Sequence, residues 1–174
     1  MNDHRLYSPR LGEALKFAAE AFRATPRKGS RVPYLTHLIA VAALVGENGG
    51  DEDQIIAAVL HDYLEDIQDS SADVLEEHFG PEVARMVEAL SEIRGRPRPP
   101  WEVRKKEYLE RLKAAPPRVK LISACDKLHN VRSVRQALRG HGEEVWRPRV
   151  RDSDEHFESR VLPLFAKRSN KIRE

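Results

Sequence analysis

The stretch IIAAVLHDYLED at 55–66 constrains the fold most, because six consecutive apolar residues run without a break into a segment carrying four ionisable ones. An apolar run of that kind marks a helix buried on every side. The residues that continue it are carried toward the interior, where an unpaired charge is costly. At about 100° per residue, His61 falls over Glu65 and Asp62 over Asp66. The spacing therefore predicts one helix through residue 66 with an imidazole and three carboxylates on a single face. Carboxylates held that close repel unless protons or a cation neutralise them, and a bound divalent metal is the economical resolution.

The rest of the 174 residues repeats the helical period: apolar positions recur three and four apart, and alternating β-branched runs are missing. The fold class is all-α, and the length suits one helical domain over 1–174. Ser8 and Pro9 open a helix whose apolar stripe is Leu11, Leu15, Ala18 and Phe22, ending near residue 24. A basic loop over 25–32 follows. Pro33 opens a second helix that Gly49 and Gly50 end, and Asp51 with Gln54 forms a capping box for the helix containing IIAAVL. Further helices are expected from Ser71 to Gly80, from Pro81 past Leu90, over about 101–114, from Arg118 to about Arg139, and over about 152–167. RGRPRPP at 94–100 reads as a loop, since its prolines cannot continue a helix.

Composition excludes several functions. Lys and Arg number 30 against 28 Asp and Glu, a net charge of +2 that gives no argument for nucleic acid, even with basic residues scattered around the helix at 118–139. No run approaches the roughly 20 apolar residues of a membrane span, and MNDHRLYSPR lacks the apolar core of a signal peptide, so a cytoplasmic location is expected. The single cysteine, Cys125, rules out an internal disulfide and a CxxC zinc site. Any metal must then be held by histidines and carboxylates. His37 lies in the apolar LTHLIAVAALV and alone reads as a core residue, while Asp126, His129, Asn130 and Ser133 form one polar stripe on the long helix. Taken together, His37, His61, Asp62 and Asp126 make a mixed imidazole and carboxylate set suited to manganese, iron or zinc.

YLTHLIAVAAL, IIAAVLHDYLEDI, FGPEVARMVEALSE and ISACDKLHNVRSV resemble, in order and spacing, the successive motifs of the RelA/SpoT-type hydrolases of the HD superfamily. The resemblance covers about residues 12–140 and is to the stand-alone small alarmone hydrolases. It implies a helical, manganese-dependent enzyme that removes pyrophosphate from the 3′ position of guanosine tetra- or pentaphosphate. Some members of the family act on NADPH. The same resemblance implies His37, His61, Asp62 and Asp126 as metal ligands, Glu65 and Asp66 as the catalytic acidic pair, and Arg27, Lys28, Asn130 and Ser133 as substrate contacts. Tyr34, beside the basic pair, is placed to line the nucleoside pocket. The expected partner is the nucleotide, with neither nucleic acid nor membrane involved; the oligomeric state is not readable.

The chain departs from the pattern at Leu38, Ile67, Ser91, Glu92 and Ser123. Glu92 and Ser123 stand where the family has lysine. These changes keep two alternatives open: an HD phosphohydrolase acting on another nucleotide, such as NADPH or a nucleoside phosphate, or an inactive nucleotide-sensing module.

Overall fold

The apolar run at 55–60 forms the centre of the molecule. In the computed structural model, which describes residues 6–27, 30–92 and 100–142, Ile56, Ala57, Ala58, Val59 and Leu60 are all fully buried. They belong to α3 (Glu52–Leu60), which packs on α2 (Leu35–Glu47), α1 (Pro9–Ala21) and α6 (Pro81–Leu90). The remaining helices are α4 (Tyr63–Asp66), α5 (Ala72–Phe79), α7 (Trp101–Ala114) and α8 (Pro117–His141). The all-α expectation holds among the described residues. No helix there is long and apolar enough to cross a membrane.

The chain divides into two units, one of Met1–Arg27 with Arg31–Val131 and one of Lys28–Ser30 with Arg132–Glu174. The described part of the second is Ser30 and the end of α8 with Gly142. The expected helix at 152–167 and residues 94–99 of the expected loop lie outside the described residues.

Local signals in the sequence fix how the helices start and turn. The Ser8 hydroxyl accepts from the Arg10 amide at 3.2 Å to cap α1. Asp51 and Gln54 make both bonds of the capping box, at 3.0 and 3.1 Å. Between α2 and α3 the chain reverses through Gly49, at φ +80°. A side chain at Gly50 would sit 2.4 Å from a Val45 methyl and 2.9 Å from the Val45 carbonyl oxygen, so this turn needs glycine.

That reversal determines what meets at one end of α3. Because α2 runs back along α3, the first turn of α2 lies beside the last turn of α3. Ser8 bonds Glu52 at 2.9 Å and Arg10 bonds Asp53 at 2.8 Å, while Phe17 meets Tyr63 edge-on at 5.1 Å, so α1 starts where α3 starts and runs the same way. The chain leaving α1 therefore arrives at the same end. Arg118 holds Asp51 through both carboxylate oxygens at 2.7 and 2.8 Å, and Gln54 donates to the Arg118 carbonyl at 3.2 Å. This sets α8 alongside α3 in parallel, and Asp126, two turns on, comes level with His61.

The core around α3 gathers Ala14 and Ala18, Leu38, Val41 and Val45, Leu75, Val83 and Val87, and Ile122, all fully buried. Ile56→Ala is expected to destabilise the chain by about 2–5 kcal/mol, the usual range for emptying such a site. Urea unfolding would show it as a lowered midpoint with an unchanged slope.

Candidate metal centre

The helix expected to run through residue 66 breaks, and the break carries the chemistry. α3 ends at Leu60, and Tyr63 begins a separate single turn, with Asp62 at φ −97°, ψ 0° between them. His61 stands at the break. Its Nδ1 lies 2.8 Å from the Ala58 carbonyl, which residue 62 would take in a continuing helix. The amides of Glu65 and Asp66 then bond the Asp62 carbonyl at 3.1 and 2.9 Å. The single four-residue face is therefore corrected: His61 and Asp62 form the junction after α3, and Glu65 and Asp66 belong to α4.

His37, His61, Asp62 and Asp126 converge. His37 Nε2 is 3.2 Å from Asp126 Oδ1 and 3.7 Å from Asp62 Oδ2. His61 Nε2 is 2.9 Å from Asp62 Oδ2 and 3.7 Å from Asp126 Oδ1. His37, His61 and Asp126 are all buried and close enough to share one ion.

The donor chemistry fits a metal. A carbonyl can only accept, so His61 carries its proton on Nδ1 and a lone pair on Nε2. That Nε2 is fully buried and has no hydrogen-bond partner, although a carboxylate oxygen stands 2.9 Å away. A lone pair facing an anion at that distance needs a proton or a cation between them, and the second imidazole and second carboxylate beside it make this a place where a cation fits. Ligand atoms around an ion bound at about 2.0–2.2 Å sit roughly 3.0–3.5 Å from one another, which matches the spacing here.

Without an ion, the same carboxylates draw a proton to that nitrogen: burial opposes charge on His61, but Asp62 and Asp126 overcome it and raise its pKa well above the usual value, so a proton and a cation compete for Nε2. Burial lowers His37, with Asp126 offsetting part of the effect. Burial would raise Asp126, yet the close approach of the His37 and His61 rings and the charge of Lys127 hold it far below the carboxylate range. Asp126 Oδ1 also accepts from Asn130 at 2.6 Å, and Oδ2 from Lys127 at 2.7 Å.

The cluster forms part of a cleft also lined by Tyr34, Glu65, Glu92, Lys105, Tyr108, Lys127 and Asn130. Tyr34 donates its hydroxyl to Asp62 at 2.7 Å, and its ring stacks on Phe22 with the Arg27 guanidinium 5.6 Å from its centroid. Arg27 donates to Asn130 at 3.0 Å, joining the segment after α1 to α8. Glu65 lines the cleft, and burial first, then Glu92 and Asp62, raise its carboxyl. Asp66 lies at the exposed end of α4, outside the lining; desolvation, then Asp62 and Glu65, push it up to about 6. Ser133 falls in the second unit, and Lys28 lies outside the described residues.

The two departures from the lysine pattern have partners. Ser123 is buried and shares a 2.9 Å hydrogen bond with the Tyr108 hydroxyl. Glu92 is buried between Arg104 and Lys105, both from α7. Burial would raise the Glu92 carboxyl, but Lys105 and Arg104 outweigh it and hold it below its ordinary 4.5. A carboxyl lowered in the folded chain adds stability above its unfolded pKa and loses it as pH falls through the folded value. Melting temperatures taken from neutral pH into acid are expected to fall less steeply for Glu92→Gln than for the unsubstituted chain.

Sequence reasoning did not assign His129, Lys105, Tyr108 or Lys127. His129 stood in the polar stripe of α8, and its partner proves to be His37, with Nδ1 2.7 Å from Nδ1. The cleft-facing residues of α7 had no motif to mark them.

Comparison with known proteins agrees with this geometry. The family model described as HD domain matches residues 14–148. The chain is 36% identical over 127 residues to guanosine-3′,5′-bis(diphosphate) 3′-pyrophosphohydrolase MESH1 of Mus musculus, covering 71% of this chain and 69% of that protein. It is 30% identical over 176 residues to the MESH1 of Danio rerio, covering 93% and 96%. A solved structure titled as a metazoan ortholog of SpoT that hydrolyses ppGpp superposes with a TM-score of 0.68 at 32% identity, over 75% of this chain and 73% of that one. With the family model spanning most of the chain and the His and Asp residues gathered at one buried point, the chain belongs to the HD-domain family.

Proposed function

We propose that the chain is a manganese-dependent guanosine-3′,5′-bis(diphosphate) 3′-pyrophosphohydrolase that degrades (p)ppGpp. The observation that carries this reading is the buried His37, His61 and Asp126 cluster, lying against a cleft with Glu65 on its wall. Likeness to the MESH1 hydrolases supports the substrate. His37, His61, Asp62 and Asp126 would hold the ion, and their mixed donors suit manganese. When bound, such an ion supplies Lewis acidity toward phosphoryl oxygen and makes water more acidic.

The chain's own residues do the rest. Water attacks the phosphorus attached to the 3′-oxygen; that P–O bond breaks, pyrophosphate departs, and the nucleoside 3′-oxygen takes up a proton. Glu65, its carboxyl raised above the ordinary range by burial, Glu92 and Asp62, accepts the proton of the attacking water, and Asp66 helps to align that water. Arg27 and Lys28 offset phosphate charge, while Asn130 and Ser133 contact the nucleotide. Tyr34 forms a wall of the cleft and holds Asp62 through its hydroxyl.

The test is pyrophosphate and GDP release from guanosine tetraphosphate by chelator-stripped protein with and without added manganese. Manganese-dependent release of both is the expected result. Phosphate release from NADPH with none from guanosine tetraphosphate would keep the hydrolase and replace the substrate; binding without turnover of either would point to a sensing module.

A further inference from the structure

His129 has no part in the chemistry above, yet it touches the metal centre more closely than several residues that do. We infer that His129 is a positioning residue for the ion: its Nδ1 accepts the Nδ1 proton of His37 and so fixes the His37 ring with the Nε2 lone pair facing Asp62 and Asp126. The inference rests on the reading that this cluster holds a divalent ion.

Two ring nitrogens 2.7 Å apart must share one proton, one ring donating and the other accepting. The rings are 4.8 Å apart and tilted by 38°, so the contact is edge to edge and not a stack. His37 Nε2 faces the carboxylates at 3.2 and 3.7 Å. An imidazole offering that nitrogen to an ion carries its proton on Nδ1, which makes His37 the donor and His129 the acceptor. The acceptor then carries its own proton on Nε2. His37 is 1% exposed, so the partner for its Nδ1 has to come from the protein.

His61 meets the same requirement differently. Its Nδ1 is held by the Ala58 carbonyl, a group of the α3 backbone that no substitution removes. His37 depends instead on a side chain, three residues after Asp126 on α8. One helix thus delivers both a candidate ligand and the group that orients another. Partners of this kind carry about 10–100-fold in metal affinity.

The experiment is titration of Mn2+ alone into chelator-stripped full-length protein by calorimetry. His129→Ala is expected to weaken binding about 10–100-fold. His129→Asn, whose side-chain oxygen accepts close to the place of Nδ1, is expected to restore most of it. His129→Phe keeps the ring without an acceptor and should match the alanine variant, providing the comparison if the alanine variant does not fold. Nitrogen NMR of histidine-labelled protein should show a coupling between the two Nδ1 atoms, absent in the phenylalanine variant. Unchanged Mn2+ affinity in the alanine or phenylalanine variant, with normal binding by the unsubstituted chain, overturns this inference alone. So does an asparagine variant no better than phenylalanine. An unsubstituted chain that binds no Mn2+ overturns the metal reading and this inference with it.

Discussion

Asp126→Ala is expected to abolish Mn2+ binding and reduce hydrolysis of guanosine tetraphosphate to background. Asp126 Oδ1 lies within reach of both imidazoles, at 3.2 Å from His37 and 3.7 Å from His61, as does Asp62 Oδ2 at 3.7 and 2.9 Å. Its removal takes away a donor and the negative charge that offsets a cation among buried groups. Breaking a buried charge cluster by deleting one partner typically costs about 3–5 kcal/mol, so the alanine variant should also melt earlier. Asp126→Asn separates the two effects, since the amide keeps the shape and lacks the charge. Calorimetry should show the asparagine variant folded and without Mn2+ binding, and a fully active Asp126→Ala protein would refute the assignment.

Glu65→Gln should give the second large effect, a fall in kcat of about 10²–10⁴ with Mn2+ affinity retained. Glu65 lies on the cleft wall, where burial, Glu92 and Asp62 favour its holding a proton, as suits a group that takes one from water. Glutamine is isosteric and cannot accept that proton. Asp66→Asn is the companion variant and should also spare metal binding and lose most turnover. Asp66 stands at the exposed end of α4, so the two losses, read from steady-state kinetics, should differ if Glu65 takes the proton and Asp66 only aligns water. Equal Mn2+ affinity throughout is the control that ties both losses to the reaction.

Much of the fold was legible because the signals were local. Ser8, the Asp51 and Gln54 box, the glycine pair at 49–50 and Pro81 each act within a few residues of where they stand, and each starts or turns a helix as expected. The break after Leu60 was not legible. Periodicity describes where side chains would point in an unbroken helix and says nothing of where the backbone ladder stops. The candidate metal residues were nominated from residue type and family resemblance, and their meeting depends on tertiary direction: α2 running back along α3, and α8 running with it. The contact between His37 and His129 and the α7 cations around Glu92 join positions far apart in the chain. No spacing rule reaches them.

The candidate donors come from three separated stretches, at positions 37, 61–62 and 126, and none of these stretches can hold an ion alone. A cation bound there recognises the assembled chain and ignores the unfolded one, so its free energy of binding becomes free energy of folding. At a free concentration 100 times its dissociation constant it would add about 2.7 kcal/mol, and at 1,000 times about 4.1. Chelation then does more than silence a reaction. It would remove the cross-link joining α2 and α8 to the end of α3, and so would couple the lifetime of the protein to the availability of the ion.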